Sequence, residues 1–220
     1  MVQVDGKTAV HDATFVTHVS LAVALLDSYT SVVRRNGQDM GLRERPLGRV
    51  RVLLRELARE GRVNPSGYYL FLNIPDGSYT LRVEAEHYLD EEVLLHLPTS
   101  PPHNPLVSIV LQPRASYPFP PGATLIRGVV QDATRARVAE ATVDVVGKQV
   151  ASRSSANGEF VLAFGPLKET DIIRVSGRPM VRGNGDHTIT VRAQHPQHGV
   201  MSTPTEVQEG TAAFVTLIYA

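Results

Sequence analysis

Apolar and polar residues alternate along much of this chain. Val50, Val52 and Leu54 are interleaved with Arg49, Arg51 and Arg55, and Leu81, Val83 and Ala85 with Thr80, Arg82 and Glu84. A period of two puts one set of side chains on each face of an extended strand. The same pattern, with enrichment in Val, Ile, Thr, Tyr and Leu, predicts further strands over residues 19–26, 68–72, 93–97, 107–111, 125–130, 142–146, 160–164, 172–175, 188–193 and 213–219. The spacers carry turn chemistry: Asn64-Pro65-Ser66-Gly67, Pro75-Asp76-Gly77, Asn157-Gly158 and Gly183-Asn184-Gly185, the last expected as a hairpin turn. Short strands closed by such turns describe an all-β sandwich. Residues 50–62 hold a helical rival in which Leu53, Leu54 and Leu57 form an apolar stripe, but the β-branched Val50 and Val52 favour the strand.

The chain divides in two. Residues 113–122 read Pro-Arg-Ala-Ser-Tyr-Pro-Phe-Pro-Pro-Gly, a composition that favours an extended, semi-rigid segment. The expected layout is an N-terminal segment 1–12, a first sandwich 13–113, a Pro-rich linker 114–122 and a second sandwich 123–220. Tyr117 and Phe119 in the linker are expected to pack between the two and fix their relative angle. The halves repeat each other in order. Ser66-Gly67-Tyr68-Tyr69 matches Asn157-Gly158-Glu159-Phe160, Tyr79-Thr80-Leu81-Arg82-Val83 matches His187-Thr188-Ile189-Thr190-Val191, and Asp27 matches Asp132. His87 and His195 become equivalent, which suggests a shared structural role. The spacing differs where each copy carries extra residues: 28–47 in the first, with Arg34, Arg35, Arg43, Glu44 and Arg45, and part of 165–186 in the second. Insertions of this kind fall on loops.

Composition narrows the function. The 22 basic and 22 acidic side chains cancel, so the broad positive field of a general nucleic-acid binder is missing. There is no cysteine, hence no disulfide framework, thiolate nucleophile or thiolate-held metal. The first residues lack the basic start and apolar run of a signal peptide, and the longest apolar stretch, 21–26, is too short to span a bilayer, so a cytoplasmic location without membrane insertion is expected. His195-Pro196-Gln197-His198 is the tightest histidine pair, but Pro196 opposes a helical geometry and no third ligand is near in sequence; a surface turn is the better reading. Neither a Gly-x-Ser-x-Gly elbow nor a phosphate loop is present. The acidic run Asp90-Glu91-Glu92 reads as a solvated strand edge that discourages pairing.

Ile126-Arg127-Gly128-Val129-Val130-Gln131-Asp132, then Val138-Ala139-Glu140-Ala141-Thr142-Val143, then Ala156-Asn157-Gly158-Glu159-Phe160 resemble the carboxypeptidase regulatory-like family, with Arg137 in place of the usual proline and Glu140 in place of the usual glycine. Pro65-Ser66-Gly67-Tyr68-Tyr69 and Ile74-Pro75-Asp76-Gly77-Ser78-Tyr79-Thr80-Leu81 resemble the same segments in a more diverged copy. The resemblance implies two tandem seven-stranded Ig-like or prealbumin-like β-sandwiches, used as accessory, adhesive or structural modules. The pairing of a diverged module, the segment 116–122 and a second module also resembles accessory proteins of phage-tail-like contractile injection systems, which implies a subunit docking on a larger particle.

The expected function is therefore a non-catalytic structural or adaptor subunit, with protein partners or self-assembly and with no cofactor, small-molecule substrate or nucleic acid. It would act in the cytoplasm or within a released particle. The alternative is a carbohydrate- or surface-binding module, which the absence of Trp disfavours. The residues assigned to partner binding are Arg34, Arg35, Arg43 and Arg45, a local basic patch on a neutral chain; the plainer reading is a solvated loop balanced by Asp39 and Glu44. Residues 2–10, outside both repeats, are a candidate for pairing with a neighbouring subunit's sheet edge.

Overall fold

The computed structural model describes residues 18–30, 46–99 and 104–220. The partner-binding candidates Arg34, Arg35, Arg43 and Arg45, and the segment 2–10, lie outside them.

The first half contains β1 (Val19–Asp27), β2 (Val50–Leu54), β3 (Arg59–Glu60), β4 (Arg62–Val63), β5 (Tyr69–Leu72), β6 (Gly77–Ala85), β7 (Glu91–Leu97) and β8 (Leu106–Leu111). They form two sheets, ordered β4-β5-β1-β8 and β3-β2-β6-β7. The two-residue pieces β3 and β4 are one strand interrupted at Gly61 that leaves one sheet and joins the other, which makes the frame seven-stranded. The second half repeats it with β9 (Leu125–Gln131), β10 (Thr142–Val145), β11 (Ala151–Arg153), β12 (Glu159–Ala163), β15 (Thr188–His195), β16 (Gly199–Glu206) and β17 (Ala212–Ile218), in sheets β12-β9-β17 and β11-β10-β15-β16. Between β12 and β15 an extra hairpin, β13 (Ile172–Val175) with β14 (Arg178–Val181), occupies the second expected insertion. It is fastened by Val181 N–H donating to Val207 C=O at 2.8 Å and Glu209 N–H to Pro179 C=O at 2.9 Å.

Alternation builds the cores. In β6, Tyr79, Leu81, Val83 and Ala85 are buried while Ser78, Thr80, Arg82 and Glu84 face outward; in β15, Ile189, Val191 and Ala193 do the same. One apolar cluster joins Leu21, Val23, Val52, Leu54, Phe71 and Leu81 of the first half, and a separate one joins Ile126, Val130, Val143, Phe160, Leu162 and Leu217 of the second. In each sandwich the first strand pairs in parallel with the last, β1 with β8 and β9 with β17. The rest of the ladder is antiparallel.

Residues 50–62 follow the strand reading, forming β2, a short 3-10 turn Arg55–Leu57 and β3. Two expectations change. Gly183-Asn184-Gly185 is a turn closed by Gly183 N–H to Asp186 C=O at 2.7 Å, but β14 and β15 on either side do not pair, so it is not a hairpin turn. His87 lies in the turn after β6 with its Nδ1 buried and without a hydrogen-bond partner, whereas His195 ends β15 and its Nδ1 accepts from Gln197 N–H at 3.2 Å; the two have different roles.

Gly128 sits at the centre of β9 with strands on both sides. A Cβ there would come within 2.1 Å of the Val215 carbonyl and 2.6 Å of the Phe160 ring. Gly128→Ala is expected to lower the unfolding free energy by about 1–3 kcal/mol or more, because backbone on one side and a core ring on the other leave no room to relax. Urea denaturation of the variant beside wild type measures this.

Candidate functional site

The polar chemistry of the described residues is concentrated where the two sandwiches and the first insertion meet. Its centre is Asp27, the last residue of β1, which is buried. One carboxylate oxygen accepts from Tyr29 N–H at 2.8 Å and Thr30 N–H at 3.4 Å as the chain leaves the strand. The other accepts from the Tyr88 hydroxyl at 3.0 Å and the Tyr117 hydroxyl at 2.6 Å. The Tyr88 hydroxyl in turn accepts from Leu47 N–H at 3.0 Å. Both stems of the 28–47 insertion are thus fixed to one buried carboxylate, and so is the linker.

Tyr117 is not wedged between the modules as expected; it is a core residue of the first sandwich, 4% exposed. A buried hydroxyl needs a partner, and Asp27 is the available carboxylate. Phe119 packs against the same core, 4.6 Å from Tyr117 and 5.0 Å from Tyr29 between ring centres, and carries the guanidinium of Arg127 at 5.6 Å above its ring. Arg127 also donates to the Ala115 carbonyl, so its side chain joins the linker to β9 of the second sandwich at two points. The start of the linker is held by Arg114 N–H donating to His87 C=O at 2.9 Å.

The second tie is ionic. Arg153 on β11 bonds the Glu91 carboxylate at 2.9 Å and the Asp90 carbonyl at 3.2 Å across the junction, and Glu140 within its own sandwich at 2.9 Å. Asp90 also pairs with Arg114, and Glu92 with Arg82 and Arg55 at 3.3 and 3.2 Å. The acidic run is therefore engaged with arginines rather than freely solvated. Burial raises the Glu91 carboxyl above the usual range, and the Arg153 guanidinium pulls the other way. Between the sandwiches lies a cleft of about 350 Å³ lined by Leu89, Asp90, Arg114, Ser116, Glu140 and Asn157.

The histidine pair is a turn joining β15 to β16, with rings 4.9 Å apart and His198 stacked on Tyr219 at 5.3 Å. Among the described residues no three of His, Asp or Glu are grouped to hold a metal ion, and no helix is long and apolar enough to cross a membrane. Asp132, the repeat partner of Asp27, is half-buried and accepts from Thr134 N–H at 2.8 Å and Ala136 N–H at 2.9 Å, a plain turn carboxylate. Nothing in the repeat itself marks Asp27 as buried; the available signal was an acid ending an otherwise apolar strand.

No protein-family model matches the chain, so the carboxypeptidase regulatory-like resemblance stands on the quoted motifs alone. No curated protein matches it either. Among solved structures, the Bacillus anthracis TIE protein aligns at 10% identity over 91% of this chain and 33% of that one, with a TM-score of 0.29. A streptococcal ancillary pilin aligns at 15% identity over 92% of this chain and 68% of that one, TM-score 0.28, and the shaft pilin SpaA from Lactobacillus rhamnosus GG at 12% over 91% and 98%, TM-score 0.28. The chain spans about a third of the length of the first. At these scores the likeness carries no weight for function.

Burial pushes the Tyr88 hydroxyl up to about 12 and raises that of Tyr117 further, the Asp27 carboxylate adding to burial in both. The folded state holds these protons more tightly than the unfolded chain, where tyrosine titrates near about 10. Their stabilisation is complete below that pH and is lost as pH rises through the folded values. The melting temperature is expected to stay level through neutral pH and fall progressively above about pH 10. Tyr88→Phe is expected to cost about 1–3 kcal/mol at neutral pH, since it strands the Leu47 N–H and removes one donor from Asp27, and to flatten part of the alkaline decline. Circular-dichroism melts of both proteins over a pH series check each point.

Proposed function

We propose that this chain is a non-catalytic structural or adaptor subunit that docks onto a larger protein assembly through its sandwich surfaces and loops, the 28–47 insertion among them. The observation that carries the reading is the Asp27 cluster: the buried polar side chains there fix the flanks of the 28–47 insertion and the path of the linker. The flanks of the 28–47 insertion are held by part-buried hydrogen bonds at Tyr29, Thr30 and Leu47, and the sequence between them carries Arg34, Arg35, Arg43 and Arg45 on a chain of zero net charge. The outward face of the β3-β2-β6-β7 sheet is self-neutralised by Arg51–Glu84, Arg51–Glu60 and Arg82–Glu92 pairs, so it offers a charged partner little. The sequence resemblances support an accessory module, with a bacterial contractile particle as one specific host, and the cytoplasm as the place of assembly.

The test is a tagged chain recovered from its native lysate by size exclusion with light scattering, in wild-type form and with Arg34, Arg35, Arg43 and Arg45 all changed to Glu. Wild type is expected in complexes far larger than the 24.0 kDa chain, and the charge-reversed form is expected to leave them with an unchanged melting temperature. A 24.0 kDa monomer in the lysate overturns the subunit reading; a charge-reversed chain that still assembles overturns the role of the loop.

A further inference from the structure

Edge strands expose unpaired backbone groups, and proteins protect them with charge or proline. Most edges here follow that rule: β3 carries Arg59 and Glu60, β4 Arg62, β7 Glu91 and Glu92, β11 Arg153, β12 Glu159, and β16 Pro204 and Glu206. Two do not. β8 (Leu106–Leu111) and β17 (Ala212–Ile218), the last strands of the two sandwiches, contain neither a charge nor a proline, and residues 210–220 as a whole contain none. Each turns apolar side chains to solvent: Leu106 and Val110 at 36% and 52% exposure, Phe214 and Ile218 at 70% and 43%.

We propose that β17 is a self-pairing edge, and that its occupant is the β17 of a second copy of this chain. This deepens the reading of the chain as an assembling subunit and rests on it. β17 has β9 as its one strand partner among the described residues. Its outward side chains read Phe214, Thr216, Ile218, a set that is complementary to itself when reversed about Thr216. An antiparallel pair with its two-fold axis at Thr216 sets Phe214 against Ile218 of the second copy on both sides and Thr216 against its equivalent. Direct cross-strand neighbours of this kind interact favourably, and one self-complementary patch used twice closes a dimer. The sheet β12-β9-β17 then runs unbroken into its counterpart. β8 repeats the pattern as Leu106, Ser108 and Val110, but without an aromatic ring, so β17 presents the larger apolar surface.

The experiment uses the full purified chain. Sedimentation over a concentration series is expected to show the mass rising from 24.0 kDa to twice that and no further. Thr216→Lys, which sets two like charges face to face on the axis at an exposed position, is expected to remain monomeric with an unchanged melting temperature. The chain has no cysteine, so Thr216→Cys supplies a single thiol. Its disulfide dimer is expected to form at least about ten times faster than that of Ser202→Cys, an exposed position on edge strand β16, because pairing makes the reaction intramolecular. Identical masses for wild type and Thr216→Lys at every concentration, growth beyond the dimer, or equal oxidation rates for the two cysteine variants each overturn the proposal. A monomeric pure chain that still enters large complexes in its native lysate overturns the β17 pairing while leaving the subunit reading intact.

Discussion

The first half of this molecule is arranged around one carboxylate. Asp27 closes β1 at a position where the strand's alternation would place an apolar residue, and its charge is made tolerable by donors from three parts of the chain: the backbone after β1, Tyr88 after β6, and Tyr117 in the linker. A buried charge without such partners is costly enough to unfold a domain of this size. The loop stems and the linker therefore cannot move independently of the sheet. The linker, proline-rich and extended by composition, is a structural part of the first sandwich rather than a tether between two.

That arrangement also governs how the sandwiches meet. With Tyr117 committed to the first core, the contact to the second sandwich passes to Phe119 under Arg127 and to the Arg153–Glu91 pair. One is a ring beneath a guanidinium and the other a partly buried ion pair, so both are directional, with Arg127, Arg153 and Glu91 on strands and Phe119 on the linker. A junction built in this way couples the orientation of one module to that of the next.

Much of the fold was legible because the interior strands carry their own signal. β6 and β15 alternate through Tyr79, Leu81, Val83 and through Ile189, Val191, Ala193, and the repeat between them aligns the two frames. The strands that escaped notice are short or sit at edges: β3, β4, β11, β14 and β16. In β16, Gly199–Glu206, Thr and Pro outnumber apolar residues and only Met201 packs against the core, so the strand exists because β15 offers it a ladder. Such strands are induced by a neighbour and leave little trace in their own pattern. The junction was hidden for a related reason. Asp27 and Asp132 are the same position in the repeat, yet one is fully buried and the other only half-buried, because the first module alone has two tyrosines within reach.

The parallel pairing of first and last strands has a mechanical meaning. β9 enters its sheet at the pole where β17 also begins, and β17 leaves at the opposite pole, in register from Ala212 opposite Leu125 to Ile218 opposite Gln131; β1 and β8 do the same from Ala22 opposite Leu106 to Asp27 opposite Leu111. Each module is thus threaded from pole to pole. Tension applied at its two ends pulls the paired strands along their own axes, loading every rung of the ladder together, where an antiparallel pair pulled from adjacent ends would open one rung at a time. The geometry that closes each sandwich is also the one that best resists being drawn out into a thread.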